Sequence, residues 1–177
     1  MKRFLPFILV AIAAVAASAA FAAPGDNGKS PAQFCKNELA TLGAANFRSL
    51  YAPTGNGENA FGKCVSKHAQ AAKVNRTNAA KACKAEQAMP EAEFRATHGG
   101  QSFAEFYGKN KNDRNAYGKC VSSKAHAANE QQEAATMKAA KACKAERAAN
   151  RAAFTAKYGG KASSAFGKCV SSKSKKK

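Results

Sequence analysis

The sequence predicts an all-α protein made of three helical repeat units, each closed by one disulfide bond and packed as a small bundle or a short solenoid. Three observations predict this fold class. A short phrase with a central cysteine occurs three times, as AFGKCVSK (60–67), AYGKCVSSK (116–124) and AFGKCVSSK (165–173). The stretches 61–88 and 116–149 lack proline and are rich in Ala, Lys, Glu and Gln, which are strong helix formers. The chain contains six cysteines, an even number that allows every one of them to pair in a disulfide bond.

The first 22 residues are typical of a signal peptide. Two basic residues precede an apolar run, and small residues at Ala20 and Ala22 form an A-x-A cleavage pattern. We expect cleavage after Ala22, a flexible linker over 23–30, and no transmembrane segment in the mature chain. This predicts a secreted or periplasmic protein.

The repeat divides the rest of the chain into a helical repeat domain, 31–173, and a basic tail, 174–177. The units span about 31–72, 73–130 and 131–173. Each unit begins with C-K-x-E, followed by an aromatic residue, a glycine-bearing loop and the repeated phrase. Four residues beyond the aromatic residue stand Tyr51, His98 and Tyr158 in the three units.

The cysteine spacing favours disulfides over a metal site. An exported chain matures in an oxidising compartment, and separations of 29, 19, 37, 23 and 26 lack the close pairs of zinc sites. If 61–88 is one helix, Cys64 and Cys83 lie about 28 Å apart, beyond disulfide reach. Bonding within units is then the most economical choice. The predicted pairs are Cys35 with Cys64, Cys83 with Cys120, and Cys143 with Cys169.

Helix boundaries follow from local signals. Ser30, Pro31 and Gln33 form a capping box with proline at the first helical position. Pro90 should end one helix and open a short one, which a Gly-Gly pair at 99–100 stops. A break of the first long helix at Asn75, Thr77 and Asn78 is the alternative to one continuous helix.

The repeated phrase predicts an inward face at the start of each long helix. An aromatic residue, the cysteine and a valine follow i, i+3 and i+4 spacing. The glycine between them should allow another backbone to approach, the alternative being a frayed helix start. The aromatic residues are Phe61, Tyr117 and Phe166, the valines Val65, Val121 and Val170, and the glycines Gly62, Gly118 and Gly167.

The composition makes the disulfides necessary for folding. After leader cleavage only 15 residues are Leu, Val or Phe, and the net charge stays near +16 after loss of two basic residues from +18. Such a chain borders on disorder. Three crosslinks contributing roughly 3 to 4 kcal/mol each would supply about 10 kcal/mol, comparable to the net stability of a domain.

No recurring constellation predicts catalysis, so we expect a protein that is not an enzyme and that binds no cofactor or metal. GENAFGKC (57–64) has phosphate-loop spacing but lacks the Ser or Thr and the preceding strand. The histidines differ in position between units, which indicates surface or packing roles. They are His68, His98 and His126. The glutamates three residues after cysteine indicate structural ion pairs with lysine. They are Glu38, Glu86 and Glu146.

Positive charge is the strongest functional signal. There are 29 Lys and Arg against 11 Asp and Glu, and lysine outnumbers arginine 22 to 7, which suits diffuse attraction to polyanions. We expect weak binding to polyanionic surfaces, namely anionic envelope polymers, lipid headgroups or extracellular nucleic acid. The alternatives are a structural or partner-binding module whose charge serves solubility, and a cationic membrane-active protein. The polyanion-binding candidates are Lys63, Lys67, Lys119, Lys124, Lys168, Lys173, Lys175, Lys176 and Lys177.

The pattern C-K-x-E, aromatic residue, Gly-Gly and A-F-G-K-C-V-S-x-K resembles repeats in uncharacterised exported bacterial proteins. The resemblance covers residues 35–173 and implies export and repetition. It brings no activity, ligand or catalytic residue. The first unit departs from the pattern, because PTGNG replaces Gly-Gly and one extra residue precedes Phe47.

Overall fold

The computed structural model describes residues 30–54, 57–108, 114–159 and 161–175. These residues form eight α-helices and no strand, which confirms the all-α class. The predicted leader, nearly all of the linker, and Lys176 and Lys177 lie outside the described residues. The helices are α1 (Pro31–Leu42), α2 (Ala44–Tyr51), α3 (Ala60–Gln87), α4 (Glu91–Thr97), α5 (Phe103–Gly108), α6 (Ala116–Ala149), α7 (Arg151–Tyr158) and α8 (Ala162–Lys175).

Helix α1 begins as its sequence predicts. The Ser30 hydroxyl accepts a hydrogen bond from the Gln33 amide at 3.3 Å, and the Gln33 side chain accepts one from the Ser30 amide at 2.8 Å. Pro31 occupies the first turn, where backbone N–H groups have no partner within the helix, so the N–H that proline lacks costs no hydrogen bond. The capping box is therefore confirmed.

The two long helices are continuous and run antiparallel. Helix α3 has 28 residues and α6 has 34, close to the predicted spans. Asn75 does not break α3. Its side-chain amide points to α6 and donates hydrogen bonds to the side-chain oxygens of Asn129 at 2.7 Å and Gln132 at 3.1 Å. Thr77 donates to the Lys73 carbonyl within the helix. The predicted unit boundaries fall inside α3 and α6, so neighbouring units share these helices.

Short helices connect the long ones at the predicted places. Pro90 precedes α4, and Gly99 and Gly100 follow it with φ of 64° and 82°, a region that glycine reaches without strain. Helix α5 was not predicted. It begins at a second capping box, in which Ser102 and Glu105 exchange hydrogen bonds of 2.7 and 3.3 Å.

All three predicted disulfides are present in the structure. Each joins one helix to a later one, with Cα atoms 6.0 to 6.1 Å apart. The bonds link α1 to α3, α3 to α6, and α6 to α8. They are Cys35–Cys64, Cys83–Cys120 and Cys143–Cys169. All six cysteines are fully buried, and each bond lies in its own core cluster.

The first and third units pack directly on each other, so the fold is a bundle and not a solenoid. In a solenoid each repeat contacts only its neighbours. Here Leu42 of α1 shares a core cluster with Ala140 of α6 and Phe166 of α8. The Lys144 ammonium also donates to the Thr41 carbonyl at 3.2 Å. Over the described residues, no helix is both long and apolar enough to cross a bilayer.

The predicted inward aromatic position is correct in only one unit. Phe61 and Tyr117 are 37% and 39% exposed, whereas Phe166 is fully buried. The alanine before each aromatic residue faces the core instead, one turn ahead of the cysteine. These alanines are Ala60, Ala116 and Ala165. Phe166 is buried because α2 lies against α8, and Leu50 of α2 packs on the same cluster.

The prediction of close backbone approach at the glycines also holds only in the third unit. A Cβ on Gly167 would lie 3.4 Å from the Ser49 carbonyl oxygen of α2. At Gly62 the nearest atom is the Asn59 side-chain oxygen, and at Gly118 nothing lies within 4 Å. The prediction is wrong there, because both glycines lie on exposed faces of α3 and α6, where no backbone of a neighbouring helix comes within 4 Å of an added Cβ.

Candidate functional site

A glutamate–tyrosine cluster lies beside each disulfide. The glutamate stands three residues after the first cysteine, and a histidine or lysine stands four residues after the second. Because i+3 and i+4 positions share a helix face with their cysteine, the disulfide brings the two side chains together. A short helix adds the tyrosine. The clusters are Glu38, Tyr51 and His68; Glu86, Tyr107 and Lys124; and Glu146, Tyr158 and Lys173.

The second cluster contains the predicted ion pair. The Lys124 ammonium lies 2.8 Å from Glu86 Oε1, and the Tyr107 hydroxyl donates to Oε2 at 2.9 Å. Partial burial raises the pKa of Glu86, but the hydrogen bonds from Lys124 and Tyr107 outweigh it and hold that pKa below its usual value. The carboxylate is therefore charged at neutral pH.

The third cluster contains two cations. Lys157 and Lys173 lie 2.6 and 3.0 Å from the two Glu146 oxygens, and the Tyr158 hydroxyl is 3.2 Å from both. The hydrogen bond from Lys157, followed by that from Lys173, lowers the pKa of Glu146 to about 2. The ion-pair prediction is confirmed for Glu86 and Glu146.

The first cluster differs from the other two because it is buried. Glu38 is fully buried, and its Oε2 accepts a hydrogen bond from the Tyr51 hydroxyl at 2.5 Å. That hydroxyl also lies 3.0 Å from His68 Nε2. Among the described residues, no lysine or arginine lies within ion-pair distance of Glu38, so the predicted lysine partner is wrong for this unit. A histidine occupies the place of the lysine.

Burial controls the protonation of the first cluster. Desolvation raises the pKa of Glu38, even though the Tyr51 hydrogen bond and the charge of Lys67 oppose it. Desolvation, with a contribution from Lys67, lowers the pKa of His68 to about 4. Desolvation and the Glu38 carboxyl raise the pKa of Tyr51. His68 is therefore a neutral imidazole at neutral pH.

The three histidines do not meet. The His68 and Phe34 rings pack with centroids 4.3 Å apart, and the His98 ring stacks on Phe94 at 3.8 Å. His126 faces Glu130 at 3.4 Å on α6. Because His98 stacks on Phe94, it does not take the tyrosine position that its alignment with Tyr51 and Tyr158 suggested. Tyr107 of the unpredicted helix α5 takes that position.

The polyanion-binding candidates separate into three groups. Lys124 and Lys173 hold the glutamates of their clusters, whereas the C-terminal Lys176 and Lys177 lie outside the described residues. The remaining five are exposed: Lys63, Lys67, Lys119, Lys168 and Lys175. Two of the five line an open polar groove of about 430 Å³ at the start of α3. Its lining residues are Asn59, Gly62, Lys63, Ser66, Lys67 and Gln70.

Comparison of the chain with protein-family models, curated proteins and solved structures found no match. The chemistry of the site must therefore be argued from its own residues. Two of the three clusters are charge-neutralising ion pairs. The first combines a neutral imidazole, a buried carboxyl group and two sulfur atoms. The sequence does contain one indication of this cluster: His68 follows Cys64 by four residues on one helix, so the two side chains share a face. The spacing between cysteines alone does not show it.

Proposed function

We propose that this is an exported, non-enzymatic helical protein that binds polyanions by diffuse electrostatic attraction. The charge supports the proposal first: the chain carries a formal +18, and most of its cations are lysines, which attract as point charges without bidentate geometry. Charge of one sign across a surface attracts polyanions at long range, and the attraction weakens steeply with salt.

The observation that carries the proposal is that five of the few glutamates already have partners within the protein, while the cations are in large excess. Glu86 and Glu146 are held by lysines beside their disulfides, and Glu38 is fully buried. Glu91 and Glu105 both contact Arg95, at 2.7 and 3.4 Å. These five carboxyl groups have local partners, and because each ion pair also uses a cation, the cationic surface comes from the excess of Lys and Arg over Asp and Glu, 29 against 11.

The long helices distribute this charge over the length of the bundle. Helix α3 exposes lysines along its length and α6 exposes them near both of its ends, so the charge does not gather around a single pocket. Such a distribution suits an extended polyanion better than a small anion. The exposed lysines are Lys63, Lys67, Lys73, Lys81 and Lys84 on α3, and Lys119, Lys138, Lys141 and Lys144 on α6.

The proposed location follows from the disulfides. Three buried disulfides are typical of a protein that matures in an oxidising compartment. The polyanions outside a bacterial cytoplasm are envelope polymers, lipid headgroups and extracellular nucleic acid. Binding by diffuse charge would accept each of these in proportion to its charge density.

Chromatography on heparin and DNA columns tests the proposal. The matched double variants K63E/K67E on α3 and K138E/K141E on α6 each change the charge by the same amount. Diffuse binding predicts that both elute at lower salt than the wild type, by similar amounts, with a smaller salt slope. The S66A/Q70A variant alters the groove without changing its charge and should elute with the wild type.

Two results would contradict this proposal. Retention that salt does not weaken would point to a specific partner and to charge that serves solubility. Loss of retention in K63E/K67E alone, with K138E/K141E unchanged, would replace diffuse attraction by a defined anion site in the α3 groove.

A further inference from the structure

The first repeat brings together three groups that bind metal ions, and a fourth lies beside one of them. The sulfur atoms of Cys35 and Cys64 and a ring nitrogen of His68 all lie within 4.8 Å of one another. The two cysteines are fully buried, and His68 is only 8% exposed. The Tyr51 hydroxyl, 3.0 Å from His68 Nε2, orients the ring.

Glu38 is the fourth group. Its Oε2 lies 3.7 Å from Cys64 Sγ, and its Oε1 is buried without a hydrogen-bond partner among the described residues. A buried carboxyl oxygen without a partner is costly, and structures that retain one usually use it. A cation held between Glu38 and the sulfurs would satisfy this oxygen.

In the disulfide form the sulfurs are not effective ligands, because metal binding requires thiolates. We propose that the reduced form of the first repeat is a four-ligand site for a zinc-type divalent cation, with Cys35, Cys64, His68 and Glu38 as ligands. Sulfur, imidazole nitrogen and carboxylate oxygen are the donors that Zn²⁺ accepts in tetrahedral sites. The Cys35–Cys64 bond would then be one of two alternative states of the repeat.

The redox step is an ordinary two-electron reduction. A dithiol oxidoreductase supplies two electrons and two protons, which convert the Cys35–Cys64 bond to two thiols, and is itself oxidised to a disulfide. In the test tube a phosphine does the same with one water, which gives its oxygen to the phosphine oxide and its two hydrogens to the thiols. The two thiols release two protons as the metal binds. The two thiolates and the Glu38 carboxylate give a bound Zn²⁺ site a net charge of −1, and Lys67 beside the cluster offsets it.

The other two repeats are internal controls. Each has a disulfide and a glutamate at the equivalent positions, but Lys124 and Lys173 occupy the position of His68 in the first repeat. A charged ammonium group has no lone pair for a metal. The proposal therefore predicts one metal site per reduced chain. It also predicts that replacing His68 by lysine weakens that site and that replacing Lys124 by histidine creates a second one.

Because reduction removes the crosslinks that hold the fold, metal binding and folding of the reduced first repeat are one coupled step. Titration with Co²⁺, a spectroscopic substitute for Zn²⁺, tests the proposal on the full chain reduced with a phosphine. We expect one equivalent bound, with absorption bands of tetrahedral thiolate coordination that Zn²⁺ abolishes. The H68K variant copies the sister repeats and should bind at least about tenfold more weakly. E38Q, which keeps the shape of the side chain, should also weaken binding.

Equal Co²⁺ affinity in the wild type and H68K, or no tetrahedral signal in the wild type, would overturn the proposal. Circular dichroism of oxidised H68K checks that the variant folds. If it does not fold, K124H decides, because it gives the second repeat the ligand set of the first. Two bound equivalents would then support the proposal, and one would overturn it.

Discussion

His68 on α3 occupies the place that Lys124 occupies on α6. Each stands four residues after the second cysteine of its repeat. Lys124 pairs directly with Glu86, whereas His68 is linked to Glu38 through the Tyr51 hydroxyl. The consequence differs because the surroundings differ. The Lys124–Glu86 pair keeps 34% and 21% side-chain exposure, whereas Glu38 is fully buried. The same repeated arrangement thus gives a partly exposed ion pair in the second repeat and a buried, hydrogen-bonded cluster in the first. Substitutions at these positions can test the two separately.

The Tyr51 hydroxyl should be the most important of the tyrosine hydroxyls for stability. We expect Y51F to lower the free energy of unfolding by about 1 to 3 kcal/mol, because it leaves the buried Glu38 oxygen without a donor. Y107F removes a hydrogen bond from the more exposed Glu86 and should cost about 1 kcal/mol. Urea unfolding measures both.

Tyr117 supplies the control for these two variants. Its hydroxyl donates to the Ala80 carbonyl at 3.2 Å, but the side chain is 39% exposed. Y117F should therefore unfold at nearly the same urea concentration as the wild type. A larger loss for Y117F than for Y51F would contradict the ranking by burial.

Two glycines in open space separate backbone conformation from packing. An added Cβ at Gly118 or Gly99 would meet nothing within 4 Å, but only Gly99 has a positive φ, of 64°. We expect G118A to stabilise the protein by up to about 1 kcal/mol through helix propensity. G99A should destabilise it by about 1 kcal/mol through left-handed strain. Thermal unfolding of both variants tests the difference, and equal shifts would refute it.

The third cluster should lose stability in acid. The folded-state pKa of Glu146 is about 2, below the ordinary value of 4.5. Because the unfolded chain binds the proton first, the stabilisation is complete above about pH 4.5 and disappears as the pH falls through 2. E146Q should therefore flatten the pH dependence in this window, measured by urea unfolding at several pH values. An unchanged slope in E146Q would show that other carboxyl groups cause the acid loss.

The alanine-rich core should tolerate no increase in side-chain volume. Ala140 of α6 is fully buried in the core cluster that it shares with α8, whereas Ala142 two residues later is exposed. We expect A140L to cost about 1 to 3 kcal/mol by overpacking, and A142L to be nearly neutral. Equal unfolding midpoints for the two variants would indicate that the helices are not closely packed there.

The features that the sequence predicts well are local ones. The capping box at Ser30, the break at Pro90 and the uninterrupted helix formers of α3 and α6 each act within a few residues. Once both long helices are continuous, Cys64 and Cys83 are too far apart to bond, and pairing within units becomes the simplest of the remaining arrangements. Helix α5 was missed although its Ser102–Glu105 capping box is visible in the sequence.

The features that the sequence does not predict depend on contacts between distant units. Phe61, Tyr117 and Phe166 share one motif, and only the packing of α2 on α8 makes the third of them buried. In the same way, the C-K-x-E motif does not reveal that Glu38 is sealed from solvent while Glu146 is not. His68 looked like an isolated histidine because its partners, Glu38 and Tyr51, come from two other helices.

Thermal unfolding followed by circular dichroism at 222 nm, before and after full reduction in the presence of a chelator, tests the central claim most directly. Few large apolar side chains are buried, and each disulfide joins two helices inside its own core cluster. The account predicts that reduction removes most of the cooperative transition or lowers its midpoint by tens of degrees, since about 10 kcal/mol of crosslinking is lost. Identical melting curves for the oxidised and reduced proteins would contradict it.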